Sequence, residues 1–401
     1  MRTGVSVGNS PSIIHLDLDA FFCAVEEQRE PALRGKAFAV GGRPEARGVV
    51  SSCSYAARQF GVRSAMPMAR ALRLCPGLVI ISPHYQAYTA ASRQVMDCLH
   101  NLTTLVEQIS IDEAFMDVSG FTEPVERIAC RLQAAIRDEL GLPCSIGVAS
   151  NKLVAKIATE VGKAARRGSG PPNALTVVSP GTEAAFLAPL PVAMLWGVGP
   201  KTAGRLAELG IQTIGDLAVL PEMDLARRFG KHGLEMARYA RGIDHSPIVT
   251  SHTAKSISQE TTYARDVSDE PELRATLRSL SHQVAERLQK NHLSGMTVKL
   301  KLRWPDFTTL TRQATLDKPT DQGELIFRTA EQLFDKVWSR GKPVRLLGVG
   351  VTGLDPRPRQ LSLWEVGSER DHRLQAAIVE LQARYGKDVL TRGIVKRTDD
   401  E

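Results

Sequence analysis

The stretch Ser110-Ile111-Asp112-Glu113-Ala114-Phe115-Met116-Asp117 constrains this chain more than any other. Residues 105–111 and 114–118 are short, largely apolar runs, and Asp112 and Glu113 separate them. The pattern predicts two antiparallel strands with the two acids at a tight connection. Neighbours within a strand point to opposite faces, but at a hairpin tip two adjacent carboxylates can converge. Carboxylates that close repel unless a cation lies between them. Their hard oxygens suit Mg²⁺. An acidic, solvated turn has the same composition. A second stretch, Ile13-Ile14-His15-Leu16-Asp17-Leu18-Asp19, argues against that blander reading. It is another apolar run ending in carboxylates, and residues 20–27 read as the first turns of a helix. Asp19 is placed to cap that helix by accepting a backbone N–H two or three residues on. Asp17 lies at a strand end and caps nothing. With strand 13–17 beside the hairpin, Asp17 joins Asp112 and Glu113. Three carboxylates at a sheet edge make a site for two ions roughly 3.5–4 Å apart.

The 401 residues carry a net charge of +7. That length suits roughly two to four domains of about 100–200 residues, and a modest basic surplus suits a polyanionic partner. No apolar run reaches the ~18 residues needed to span a bilayer, and the amino terminus lacks a signal-peptide core. The six cysteines form no C-x-x-C. They read as reduced thiols of a cytoplasmic protein, with no zinc site.

Apolar spacing predicts strands at 37–40, 48–52 and 143–149. It predicts helices from Tyr55 to Gly61, over 87–102 and over 124–140. Strands and helices alternate as in a split βαβ sheet with helices on one face. Asn151 and Lys152 open a further segment running to Lys163, followed by a basic, glycine-rich loop. Gly197-Val198-Gly199-Pro200-Lys201 reads as a helix-hairpin-helix element, whose glycines let backbone N–H groups approach a phosphate. From 255 to 354 the order is strand, helix, two strands, helix, strand. Lys299-Leu300-Lys301-Leu302-Arg303 alternates basic and apolar residues, so one face packs on helices and the other tracks a phosphate backbone.

Asp17-Leu18-Asp19-Ala20-Phe21-Phe22, paired with Ser110-Ile111-Asp112-Glu113-Ala114, resembles the Y-family translesion DNA polymerases, in particular their DNA polymerase IV branch. The resemblance runs from about residue 12 to 355. It implies an α+β multidomain fold: a ferredoxin-like palm (1–25 and 87–178), interrupted by a fingers insertion (26–86). A helical helix-hairpin-helix thumb (179–246), a linker (247–254), a separate α/β little finger (255–355) and a tail (356–401) would follow. It implies template-directed, low-fidelity addition of deoxynucleotides to a primer 3′ end past damaged template bases. Two Mg²⁺ would be held by Asp17, Asp112 and Glu113 and the backbone carbonyl of Leu18. Phe22 matches the gate that excludes a ribose 2′-hydroxyl. Ser52, Tyr55, Arg58 and Lys163 match triphosphate contacts, although the lysine is followed by Ala164 where the family has proline. Val40, Val49, Ser51 and Ala65 match a thin roof over the nascent base pair. Gly197, Gly199, Lys201, Lys299, Lys301, Arg303, Arg312 and Arg345 match DNA contacts; many relatives have a second arginine where this chain has Leu346. Gln360, Leu361, Leu363 and Trp364 resemble a peptide that binds a sliding clamp, followed by a helical segment over 370–385. The expected partners are primer–template DNA, deoxynucleoside triphosphates and the clamp, and the expected state is a monomer without a membrane. The alternatives are a non-catalytic DNA-binding relative and a nucleotidyl cyclase on a similar sheet. The three retained carboxylates disfavour the first. The helix-hairpin-helix and the basic third domain disfavour the second.

Overall fold

Six consecutive buried residues form strand β1 (Ile13–Leu18) in the computed structural model, which describes residues 11–166, 168 and 170–355. Unbroken burial requires cover on both faces, and so the segment reads as a continuous apolar run. Helix α1 (Phe21–Arg29) follows. A small sheet comes next, made of β2 (Phe38–Gly41), β3 (Val50–Cys53) and β4 (Val79–Ile81) in the order β3-β2-β4. Helices α2 (Tyr55–Gln59) and α3 (Met68–Leu74) accompany it, and Ala39, Val50, Ala57 and Met68 share its own core.

Helix α4 (Tyr85–Leu102), strands β5 (Val106–Gln108) and β6 (Glu113–Asp117) and helix α5 (Val125–Leu140) return the chain to β1. Strand β7 (Cys144–Ala149), helix α6 (Lys152–Ala165) and strand β8 (Leu175–Val177) complete a sheet of order β5-β6-β1-β7-β8. β1 is antiparallel to both β6 and β7. Ile14, Leu16 and Leu18 pack with α1, α4 and α5, as the apolar spacing predicts. The opposite face departs from expectation. Ile13 and Phe115 pack there with α6, so helices cover both faces and not one. Gly147 of β7 makes this possible. A Cβ there would lie 2.0 Å from the carbonyl oxygen of Ala155, so α6 rests its backbone directly on the strand.

Helices α7 (Glu183–Leu187), α8 (Pro200–Glu208), α9 (Ile214–Ala218), α10 (Glu222–Phe229) and α11 (Lys231–Ala240) extend the core shared with α6. A capping box starts α9: Thr213 Oγ1 accepts the Asp216 N–H, and the Asp216 carboxylate accepts the Thr213 N–H. Residues 247–252 then run over β5. There the buried Glu107 carboxylate accepts Lys152 Nζ at 2.9 Å and the Val249 N–H at 2.8 Å. Lys152 also donates to the Pro247 carbonyl at 2.9 Å.

The last unit contains β9 (Ser256–Val267), α12 (Glu270–Lys290), β10 (Ser294–Arg303), β11 (Thr309–Thr320), α13 (Gly323–Asp335) and β12 (Val344–Asp355). Its antiparallel sheet has the order β11-β10-β12-β9. Val298, Leu300 and Leu302 are buried in one cluster with residues of α12 and α13. The period of two sends Lys299, Lys301 and Arg303 to the open face. Arg47, beyond β2, joins this unit to the small sheet through Asp266 at 2.6 Å. Among the described residues no helix is long and apolar enough to cross a membrane.

Candidate active site

Asp17 lies opposite Glu113 of β6 and Ser145 of β7, so the hairpin stands beside β1 as expected. Asp112 occupies the turn, where its carbonyl accepts the Leu18 N–H at 3.0 Å. Ser110 closes the tip. Its hydroxyl donates to Asp112 Oδ1 at 2.5 Å and accepts the N–H groups of Asp112 and Glu113 at 3.2 and 3.0 Å.

Helix α6 crosses these strands. Asn151 Oδ1 starts it by accepting the Val154 N–H at 3.0 Å. Lys152, Lys156, Thr159 and Lys163 recur at spacings that share one helix face. Each meets a residue of the sheet. Lys156 Nζ lies 2.8 Å from Glu113, and Lys163 Nζ lies 2.6 Å from Asp17 and 3.9 Å from Asp19. Between them Thr159 hydrogen-bonds His15 at 2.8 Å. Lys163 thus sits in a helix and not in the basic loop. Burial pushes the Asp17 carboxyl up to about 7; Lys163 works against the rise and Glu113 adds to it. Burial also raises Asp19. Burial alone would lower the Lys163 ammonium, but Asp17 and Glu160 outweigh it and the net shift is upward.

Asp19 does not cap α1. Ala20 precedes that helix with φ 47°, and no side chain caps it. The Asp19 carboxylate turns inward across β7. It accepts the Ser145 hydroxyl at 2.9 and 3.0 Å and the Asn173 N–H at 3.0 Å.

The donor set fits hard divalent cations in its chemistry: three carboxylates at one end of the sheet, two of them already facing ammonium groups. Among the described residues no three His, Cys, Asp or Glu side chains are gathered closely enough to hold an ion as they stand. The lysines engage Asp17 and Glu113 separately.

Helix α2 borders the same site. Ser54 caps it, accepting the Ala57 N–H at 3.2 Å. The Arg58 guanidinium lies 4.4 Å from the Tyr55 ring centroid and donates to the Cys53 carbonyl at 3.3 Å. Burial raises the Tyr55 phenol, and Asp19 is the next cause, which places the ring near the carboxylates. Ser52 is buried, with the Cys23 thiol donating to it at 3.5 Å. Phe21 turns into the core, as the doublet suggests. Phe22 is half-buried and stacks on Tyr88 at 4.2 Å and 11°. The Tyr88 hydroxyl in turn donates to the buried Glu26 carboxylate at 2.5 Å. Val49, Ser51 and Ala65 are exposed. Val40 is not: it lies on the middle strand of the small sheet, fully buried in the core with Phe38, and cannot line a roof.

Three family models match the chain: the impB/mucB/samB family over residues 16–160, its C-terminal domain over 254–363, and the IMS family HHH motif over 180–211. DNA polymerase IV of Dehalococcoides mccartyi (strain CBDB1) is 38% identical over 392 residues, covering 97% of this chain and 98% of that one. The enzyme of the same name from Halorhodospira halophila is 41% identical over 355 residues, or 88% and 98% of the two chains. That from Streptomyces coelicolor is 43% identical over 351 residues, 86% and 71%. A solved chimeric Y-family DNA polymerase shares the fold at TM-score 0.77 and 24% identity, over 86% of this chain and all of that one. This chain belongs to the Y-family of DNA polymerases, in the DNA polymerase IV branch. Its units are therefore the palm, fingers, thumb and little finger of that family.

In the thumb, Gly197 has φ 91° beside the His232 ring, a backbone state that favours glycine. Gly199 precedes α8, and Lys201 is exposed in its first turn. On the little finger's open face Lys299 stands between Gln313 and Gly350. Lys301 is paired with Glu260 at 2.7 Å, and Arg303 donates to Thr309 at 2.9 Å. Arg312 departs from the expected basic face. It is in register with buried Leu300, so it leaves the sheet on the helix side. The Arg345 guanidinium lies 4.3 Å from the Phe307 ring centroid. Gln360, Leu361, Leu363 and Trp364, and segment 370–385, lie outside the described residues. Sequence reasoning missed Lys156 on Glu113 and Tyr88 under Phe22. The spacing from Lys152 to Lys163 was the available signal for the first; the second had none, because Tyr88 lies far along the chain from Phe22.

Proposed function

We propose that Asp17, Asp112 and Glu113 are the catalytic carboxylates of this translesion DNA polymerase. The juxtaposition of Asp17 and Glu113 across β1 and β6, with Asp112 at the adjoining turn, carries the reading. These three side chains and the Leu18 carbonyl would hold two Mg²⁺. When bound, such ions ease deprotonation of the primer 3′-hydroxyl and neutralise charge on the triphosphate and its leaving pyrophosphate. The protein's own groups bind and orient. Lys163, 2.6 Å from Asp17, would offset that carboxylate's charge and bind the triphosphate. Arg58 and Tyr55 hold phosphate oxygens, a guanidinium matching them in planar geometry, and Ser52 adds a hydroxyl. Phe22, braced by Tyr88, fills the space a 2′-hydroxyl would need. The thumb glycines and Lys201, with Lys299, Lys301, Arg303 and Arg345, bind primer–template DNA through its phosphates, which position without reading sequence. Arg312 joins them only from the helix side of the sheet.

The same reading takes the chain as a cytoplasmic monomer, tethered to a sliding clamp through Gln360, Leu361, Leu363 and Trp364. Primer extension on a templated oligonucleotide tests it. Incorporation should follow the template base, stop with a chelator and resume with Mg²⁺. Nucleotide addition that ignores the template would overturn it.

A further inference from the structure

The geometry points to Phe307 as a stacking platform for an unpaired template base ahead of the point of synthesis. This rests on the reading of the little finger's open face as a DNA surface. Phe307 sits in the turn between β10 and β11 with φ 66° and is 62% exposed. Four bonds hold the turn: Trp304 N–H to the Thr308 carbonyl at 2.9 Å, Phe307 N–H to the Trp304 carbonyl at 3.0 Å, Thr308 N–H to Asp306 Oδ1 at 2.8 Å, and the Thr309 hydroxyl to the Phe307 carbonyl at 3.3 Å. A bulky residue in the left-handed region is an outlier that costs free energy. Here burial of the ring does not offset that cost. The structure keeps the ring outside.

Cations flank the turn. Arg345 lies over the Phe307 ring, Lys342 lies 3.9 Å from the centroid of the Trp304 ring, and Arg303 ends the basic row of β10. A protein partner seeking an apolar anchor would have to desolvate these charges. A nucleic acid brings phosphates to them and a flat base to the ring, and base–aromatic stacking tolerates any sequence.

The place fits an outgoing template. Arg345 adjoins Val344, which pairs with Val267, and the neighbouring Asp266 holds Arg47 of the fingers. Phe307 therefore stands at the end of the sheet that meets the fingers. Arg47 leads through Gly48 to exposed Val49, beside exposed Ser51. A template strand passing under those residues crosses the Arg47–Asp266 contact and arrives at Arg345 and Phe307.

The test is equilibrium binding of the full chain to a primer–template with a single-stranded template overhang and to the matching blunt duplex, with 2-aminopurine in the overhang. Wild type should prefer the overhang and quench the probe. Phe307→Leu keeps an apolar side chain without a π face. It should lose the quenching and weaken overhang binding by about 5- to 150-fold, with blunt-duplex binding unchanged. Phe307→Trp should restore both. Full quenching and an undiminished overhang preference in Phe307→Leu would overturn the proposal, as would equal weakening on both DNAs, which marks a residue that only holds the turn. If wild type binds neither DNA, the DNA-surface reading itself fails and the platform falls with it.

Discussion

Phe22 and Lys163 are held by contacts that a linear sequence does not display. The Phe22 ring lies flat on Tyr88, and the Tyr88 hydroxyl is fixed by Glu26. In the proposed gate, a ring clamped in this way would discriminate by shape, because it could not swing aside for an added hydroxyl. Phe22→Ala should raise ribonucleotide incorporation relative to deoxyribonucleotide by about 10- to 200-fold, the range over which a pocket contact discriminates. Competitive incorporation assays measure the ratio, and an unchanged ratio in a folded variant would assign Phe22 to the core alone. At this scale the placement of Asp17 opposite Glu113, with Asp112 at the turn, was legible because these carboxylates end or separate apolar runs. Asp19 was misread. Its partners Ser145 and Asn173 lie 126 and 154 positions away, whereas helix capping is a local rule.

Helix α6 ties the site together at the scale of elements. The spacing from Lys152 to Lys163 was in the sequence but was not read as a helix, and the face of the sheet it covers depends on Gly147 leaving room. Gly147→Ala places a methyl group against the Ala155 carbonyl and the Thr159 N–H. The helix must lift, at about 1–3 kcal/mol or more. Because Lys156 and Lys163 ride on it, extension rate should fall along with the denaturation midpoint; wild-type values for both would contradict this packing. The amino-terminal turn of α6 has a second duty. Lys152 and Glu107 form a buried pair beneath the linker. Glu107→Ala leaves the Lys152 ammonium buried without its partner and should cost about 3–5 kcal/mol in chemical denaturation. A cost near zero would mean that the lysine reaches water. Nothing local marks this pair, as its members lie 45 positions apart.

Across the whole molecule, the order of units was legible because the helix-hairpin-helix and the alternation in Lys299-Leu300-Lys301-Leu302-Arg303 are local patterns. Contacts between units, such as Arg47 with Asp266, were not. Not every cation of the little finger's open face is free to meet DNA, since Lys301 is already paired with Glu260. Affinity for duplex DNA should still fall with salt, with each phosphate contact adding about 0.9 to the log–log slope. Lys299→Ala should reduce that slope by about one contact, whereas Lys301→Ala should reduce it less. Equal reductions would show that the Glu260 pair opens on binding.

The central claim is that chemistry occurs where β1 meets the β5–β6 hairpin. Single-turnover incorporation of one deoxynucleotide, with primer–template affinity measured in parallel, tests it most directly in Asp112→Asn. This substitution keeps the size of the side chain and removes one of the three proposed anionic ligands. The account predicts a rate lower by at least about 100-fold with DNA affinity near wild type. A wild-type rate in that variant would place the chemistry elsewhere.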